Sequence, residues 1–229
     1  MGLRRTFLSS LFGEPRGPLG WVGARLLVLI AAPLYGALAD ALRLQPDDEL
    51  LDVGCGSARL LADHASHVRY VAGLDASEIQ VRMARRRLAG RIAAESAEVV
   101  LGDAGRLPWE DGRFSVVTSL NTLKFVPDPV RALEEMRRVL RPGGRVVVSL
   151  GDSEHARRGI RVESGRVDVW GQWQWSDADA QALLESVGFT DVAVSILRGG
   201  FTLARGTNPG ISPSDRASPA RHDGGRPEG

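Results

Sequence analysis

The 229-residue chain has one cysteine, Cys55, and one lysine, Lys124, against 28 arginines. A single cysteine excludes an intramolecular disulfide and makes a reducing cytoplasm the expected compartment. The four histidines (His64, His67, His155, His222) are scattered, with no ligand spacing to a cysteine or second acid. No metal site is therefore expected. Excess charge of one sign is also missing: the net charge is +1, which gives no reason to expect nucleic acid or an anionic membrane as partner. The longest apolar candidate, Leu26 to Ala39, is uncharged for fourteen residues and is interrupted by Pro33 and Gly36. A spanning helix needs roughly 20 residues, so no stable membrane insertion is expected. The run also starts too late for a signal peptide. Residues 19–44 read instead as one or two buried helices in an N-terminal helical cap over residues 1–45.

From Glu49 the rhythm changes to short apolar runs alternating with amphipathic stretches. Glu49–Val53, Tyr70–Leu74, Ala97–Leu101, Phe114–Leu120 and Arg145–Leu150 read as buried strands. Helical patterns lie between them at Ser57–Ser66, Ser77–Gly90 and Pro129–Leu140, with Ser57, Ser77 and Asp128 as capping or turn residues. Pro142-Gly143-Gly144 stops the last of these helices. Such alternation predicts an α/β fold, a mostly parallel sheet with helices on both faces. A further helix follows at Asp177–Val187, then strands near Phe189–Leu197 and Gly200–Ala204 that can pair as an antiparallel hairpin. The main domain is expected over residues 46–205. Residues 206–229 have almost nothing to bury and are expected to be disordered.

The strongest chemical signal is Leu50-Leu51-Asp52-Val53-Gly54-Cys55-Gly56-Ser57-Ala58-Arg59, a strand running into a Gly-x-Gly turn and a helix. Ligands of open α/β sheets bind beyond the carboxyl ends of the strands, and the glycines allow close backbone approach. A dinucleotide fingerprint wants a third glycine where Arg59 stands. S-adenosylmethionine (SAM) has no pyrophosphate, so its site can dispense with that glycine, and Asp52 suits the SAM ammonium. Asp75 ends the next strand, twenty-one residues after Gly54. It can cap the following helix or accept both ribose hydroxyls, and beside the glycine turn the ligand role is favoured. Asp103 follows the third strand and suits the adenine amine, with Ala104 and Leu107 as apolar contacts. Three acids at successive strand ends are harder to explain as caps than any one alone.

Residues 48–150 resemble the class I SAM-dependent methyltransferases, specifically the small-molecule type that includes ubiquinone and menaquinone methyltransferases. The resemblance rests on the glycine turn, Gly73-Leu74-Asp75-Ala76-Ser77 and Gly102-Asp103-Ala104-Gly105-Arg106-Leu107-Pro108. Phe125-Val126-Pro127-Asp128-Pro129 and Leu140-Arg141-Pro142-Gly143-Gly144 complete it. It implies a Rossmann-like three-layer sandwich whose seven-stranded, mostly parallel sheet has its last strand antiparallel. It also implies SAM as cofactor and a small-molecule methyl acceptor. The expected cofactor-binding set is Asp52, Gly54, Cys55, Gly56, Asp75, Ala76, Asp103, Ala104 and Asn121.

Three positions depart from the family pattern. Ala58 replaces a loop glycine, Ser115 replaces an acid opening the fourth strand, and Lys124 replaces a histidine in the loop after it. Lys124 is the candidate catalytic residue, as a base toward an acceptor hydroxyl or as a holder of an anionic substrate. Arg82, Arg85, Arg86, Arg87 and Arg91 share one predicted helical stretch and read as a solvated face. Trp170, Trp173 and Trp175 alternate with polar residues and either line the acceptor pocket or pack as a strand. A SAM-binding domain without transferase activity fits the same loops, and a nucleotide-dependent oxidoreductase fits them less well. The Asn/Asp-Pro-Pro-Tyr type motif of DNA amine methylation is missing, since Ser119-Leu120-Asn121-Thr122-Leu123 occupies its place.

Overall fold

Apolar β-branched runs bounded by turn residues form the strands where the pattern places them. In the computed structural model, which describes residues 41–152, 166–167, 173–196 and 201–210, the first three are β1 (Glu49–Val53), β2 (Tyr70–Asp75) and β3 (Ala97–Leu101). They are joined by α1 (Arg59–His64), α2 (Glu78–Arg87) and α3 (Ala89–Ala93). Strand β4 (Phe114–Ser119), α4 (Pro129–Val139) and β5 (Leu140–Asp152) follow. A two-residue hairpin, β6 (Arg166–Val167) and β7 (Trp173–Gln174), stands apart from the main sheet. The described residues end with α5 (Asp177–Ser186), β8 (Thr190–Ile196) and β9 (Phe201–Thr207). Trp170, the tail beyond residue 210 and all but residues 41–44 of the expected N-terminal helices lie outside the described residues.

The main sheet has seven strands in the order β3-β2-β1-β4-β5-β9-β8. Strands β1 to β5 pair in parallel, and β9 runs antiparallel to both β5 and β8. Helices cover both faces. Leu60 and Leu61 of α1 with Val81 and Ala84 of α2 pack on one face against Leu50, Val71 and Val116. On the other, Leu133 and Met136 of α4 and Leu184 of α5 pack against Leu51, Leu74 and Val148. This is the expected three-layer sandwich. The chain proceeds outward from β1 to β3 and then crosses back to β4, so direction reverses between β1 and β4, where ligands bind in such sheets.

Several local expectations differ from the structure. Ser57 does not cap α1: its N-cap is Ala58 in a left-handed conformation (φ 56°), with no side-chain cap bond. Ser77 and Asp128 do cap, accepting from Gln80 N and Arg131 N. Strand β5 begins at Leu140, earlier than the Pro-Gly-Gly turn predicts, because Phe114 pairs with Leu140 before the register shifts to Val116–Arg145. Strand β9 runs to Thr207, past the expected domain end at residue 205. There Asn208 is buried and its side-chain amide donates to Leu140 O (2.7 Å) and Arg137 O (3.2 Å). Ser115 lies at the amino end of β4, away from the switch point, where its hydroxyl donates to Asp48 Oδ1 (2.6 Å) and accepts from Glu49 N (2.9 Å). Among the described residues no helix is long and apolar enough to cross a membrane.

Candidate active site

The glycine turn is held from below and from the side. Gly54 N and Cys55 N both donate to Leu74 O, at 2.7 and 3.0 Å, so the turn hangs on the end of β2. Gly54 (φ +76°) has no room for a side chain, since an added Cβ would meet Thr122 at 2.2 Å. Gly56 (φ +54°) serves a different end: a Cβ there would face space, with Gln80 at 4.0 Å as its nearest neighbour. The first glycine is needed for packing, and at the second the backbone is bare beside open space. Asp75 ties the turn to the next helix, its Oδ2 accepting from Gly56 N and its Oδ1 from Ser77 N, both at 2.8 Å. At the far end of that helix Arg87 reaches back to Ser57, donating to its carbonyl (2.6 Å) and hydroxyl (2.8 Å).

Asp52 is 4% exposed on β1 beside the switch point, and its Oδ1 has no hydrogen-bond partner. Burial first, and then the nearby Asp75 charge, push its pKa up to about 8. Its register partner on β4 is Thr118, whose hydroxyl is also buried without a partner. Two unpartnered polar atoms on neighbouring strand ends mark a place where a donor is wanted. Cys55 lies in the apolar cluster with Leu61 and Val71. Burial and the Asp52 and Asp75 charges push its thiol well above the ordinary cysteine value, which makes it unreactive.

Asp103 is exposed, and its Oδ1 accepts from Gly105 N at 2.9 Å. The loop it begins is latched from α4: Leu107 N donates to Glu135 Oε2 (2.9 Å), while Arg138 donates to Leu107 O (2.9 Å) and Trp109 O (2.8 Å). The Arg138 hydrogen bond holds the Glu135 carboxyl below the usual range. Ala104 and Leu107 are mostly buried in the core, at 8% and 4% exposure, so they present little surface to a ligand. The exposed apolar side chains at this end are Ala76 and Leu101.

Beyond β4, Asn121 takes a left-handed conformation (φ 53°) with its N–H on Ser149 Oγ at 2.7 Å. The Thr122 hydroxyl lies within hydrogen-bond reach of Leu120 O (3.0 Å) and Gly54 O (3.3 Å), joining this loop to the glycine turn. A 3-10 turn, Leu123–Phe125, follows and carries the half-buried Lys124.

The chain is similar to known proteins over the stretch that holds these positions. Residues 51–148 match the model described as a methyltransferase domain. That stretch contains the glycine turn, all three strand-end acids and Lys124. The chain is 38% identical over 109 residues to the demethylmenaquinone methyltransferase of Staphylococcus epidermidis, covering 46% of this chain and 44% of that one. It is 36% identical over 145 residues to the chloroplastic 2-phytyl-1,4-beta-naphthoquinone methyltransferase of Arabidopsis thaliana, covering 54% and 56%. The chain spans from 33% to 56% of the length of such curated relatives. A SAM-dependent methyltransferase from Aquifex aeolicus has the same fold, with TM-score 0.61 and 18% identity over 76% of this chain and 88% of that one. So does the [4+2]-cyclase SpnF, with TM-score 0.64 and 19% identity over 86% and 84%.

The fold brings Asp52, Gly54, Gly56, Asp75, Ala76, Asp103 and Asn121 to the carboxyl edge of the sheet. Cys55 and Ala104 share that edge, but their side chains go to the core. Arg87, Glu135, Arg138 and Thr122 hold these loops in place and carry no local sequence signal of doing so. Among the described residues no group of acids, histidines or cysteine could hold a metal ion.

Proposed function

We propose that this chain is a SAM-dependent methyltransferase acting on a small organic acceptor. The observation that carries the reading is Asp75, which joins the glycine turn to α2 through both carboxylate oxygens. Asp52 offers its unpartnered oxygen to the ammonium, Gly56 leaves room for the ligand to pass, and Asp103 serves the adenine amine. These residues fit SAM, which when bound supplies an electrophilic methyl group on a sulfonium.

The chain's own contribution is placement. The glycine turn and Asp75 fix one reactant, and the loop after β4 fixes the acceptor close enough for in-line displacement, an effect worth about 7–11 kcal/mol at most. A calorimetric titration with SAM, S-adenosylhomocysteine and NADH tests the cofactor. Micromolar binding of the first two and none of NADH is expected, and NADH binding alone overturns the reading. SpnF's shared fold keeps a second reading in view, a SAM-binding domain with other chemistry, because fold does not name the reaction. Transfer of labelled methyl to an acceptor separates the two.

Arg87→Met removes the charged donor from Ser57 while leaving the core intact. S-adenosylhomocysteine should then bind about tenfold more weakly, the loss of charge-assisted hydrogen bonds to the loop. Arg87→Lys should recover part of the affinity. Unchanged affinity in Arg87→Met would show that the turn keeps its shape without the staple.

A further inference from the structure

The cofactor cleft divides its charges. Asp75 and Asp103, at the ends of β2 and β3, make one half anionic. Across the switch point, the loop after β4 carries Lys124, the one lysine of a chain that otherwise uses arginine for every basic position. Arginine serves this fold as a staple: Arg85, Arg87, Arg91 and Arg138 all donate to backbone carbonyls of other elements. A lysine is a compact point charge on a flexible stem, suited to a single anionic atom rather than a planar fork.

The loop fixes Lys124 closely. Leu123 is fully buried in the core, and Thr122 closes on Gly54, so Lys124 stands two residues from a contact with the cofactor turn. Its Nζ lies 5.2 Å from the centroid of the Phe125 ring, a contact that attracts an ammonium. The backbone of β7 runs against the same turn. The turn that carries Lys124 therefore touches the glycine turn through Thr122 and lies beside β7, across the switch point from Asp75 and Asp103, and its cation makes that side attractive to the opposite sign.

We propose that Lys124 is the acceptor-binding cation and that the acceptor is taken as an oxyanion, a carboxylate or an ionised hydroxyl. This rests on the reading of the cleft as a SAM site. The sole lysine makes the test direct. Reductive methylation with 13C-formaldehyde labels only Lys124 and the terminal amine, and Lys124→Arg identifies the side-chain signal by its loss. With S-adenosylhomocysteine bound, 1-hydroxy-2-naphthoate should move that signal, and neutral 2-naphthol should not. Unlabelled Lys124→Met should bind the naphthoate at least about tenfold more weakly than the parent, the worth of a charge-assisted hydrogen bond. Lys124→Arg should recover part of that loss, since it keeps the charge while replacing the compact ammonium by a planar fork. The proposal is overturned if Lys124→Met binds the anion as well as the parent, if Lys124→Arg fails as completely as Lys124→Met, or if neither probe moves the signal. Failure of S-adenosylhomocysteine to bind at all would instead overturn the cofactor reading, which keeps the two failures distinct.

Discussion

Asp75→Asn is expected to weaken SAM binding by about a hundredfold or more, the loss of two charge-assisted hydrogen bonds to the ribose. An amide in that position has one acceptor oxygen, and its nitrogen confronts an N–H that the carboxylate used to satisfy. Gly56 N and Ser77 N therefore compete for what remains. Some stability goes as well, because Ser77 begins α2, but the folded core on either side of the sheet is untouched. Calorimetric titration with SAM, paired with a thermal melt, separates the two effects. An Asp75→Asn protein that melts near the parent and still binds SAM at parental affinity would remove Asp75 from the site.

Asp52→Asn should make the ligand-free protein more stable than the parent by a margin that grows as the pH rises. The buried carboxyl has a folded pKa of about 8 against an ordinary aspartate value of 3.8. A raised acid pKa means that the folded state holds a proton the unfolded chain has released. Stability from this group is thus full below about pH 4, falls as the pH climbs to about 8, and then levels off. The slope is up to about 1.4 kcal/mol per pH unit. Asparagine abolishes that slope, so melts of parent and variant should diverge progressively between those limits. The same variant should lose cofactor affinity, because a neutral amide replaces the partner of an ammonium. In the parent, a bound cation draws the proton off, so SAM affinity should rise with pH toward about 8 and become flat beyond it. A parent and variant with parallel melting curves across this range would show that Asp52 is ionised throughout. Asp75 is the second cause of the Asp52 shift, so Asp75→Asn should also lower the Asp52 titration midpoint.

Much of this arrangement was legible in the residues. The strands Glu49–Val53 and Ala97–Leu101 begin and end as read, because turn residues bound both apolar runs. The acids follow from the same pattern, since each stands at a strand end. What was not legible depends on distance along the chain. The arginines of α2 and its continuation read as a solvated face, but Arg85, Arg87 and Arg91 reach carbonyls 14, 30 and 26 residues away. Helical periodicity contains no information about such partners. Ser57 has the right chemistry for a cap, yet its hydroxyl meets Arg87, and the helix begins one residue later on a strained Ala58. Gly54 was readable as a turn, but the side chain that requires it, Thr122, comes from the loop after β4. The last strand was read only to Ala204 and runs to Thr207, followed by Asn208, which offers nothing apolar; its value lies in the Leu140 and Arg137 carbonyls that its amide satisfies.

The position of β9 sets the order in which this molecule can be completed. It arrives last in sequence yet is seated between β5 and β8, with Arg145 opposite Thr207. As the chain leaves the ribosome, β1 to β5 can pair with neighbours already made, but β8 emerges before the strand that will attach it. Closing the β5–β9 pair joins residues some sixty positions apart, a late and slow kind of contact. Until Thr207 is free, β5 is an open edge and α5 covers an unfinished face, which makes the nascent chain most vulnerable just before synthesis of this segment ends.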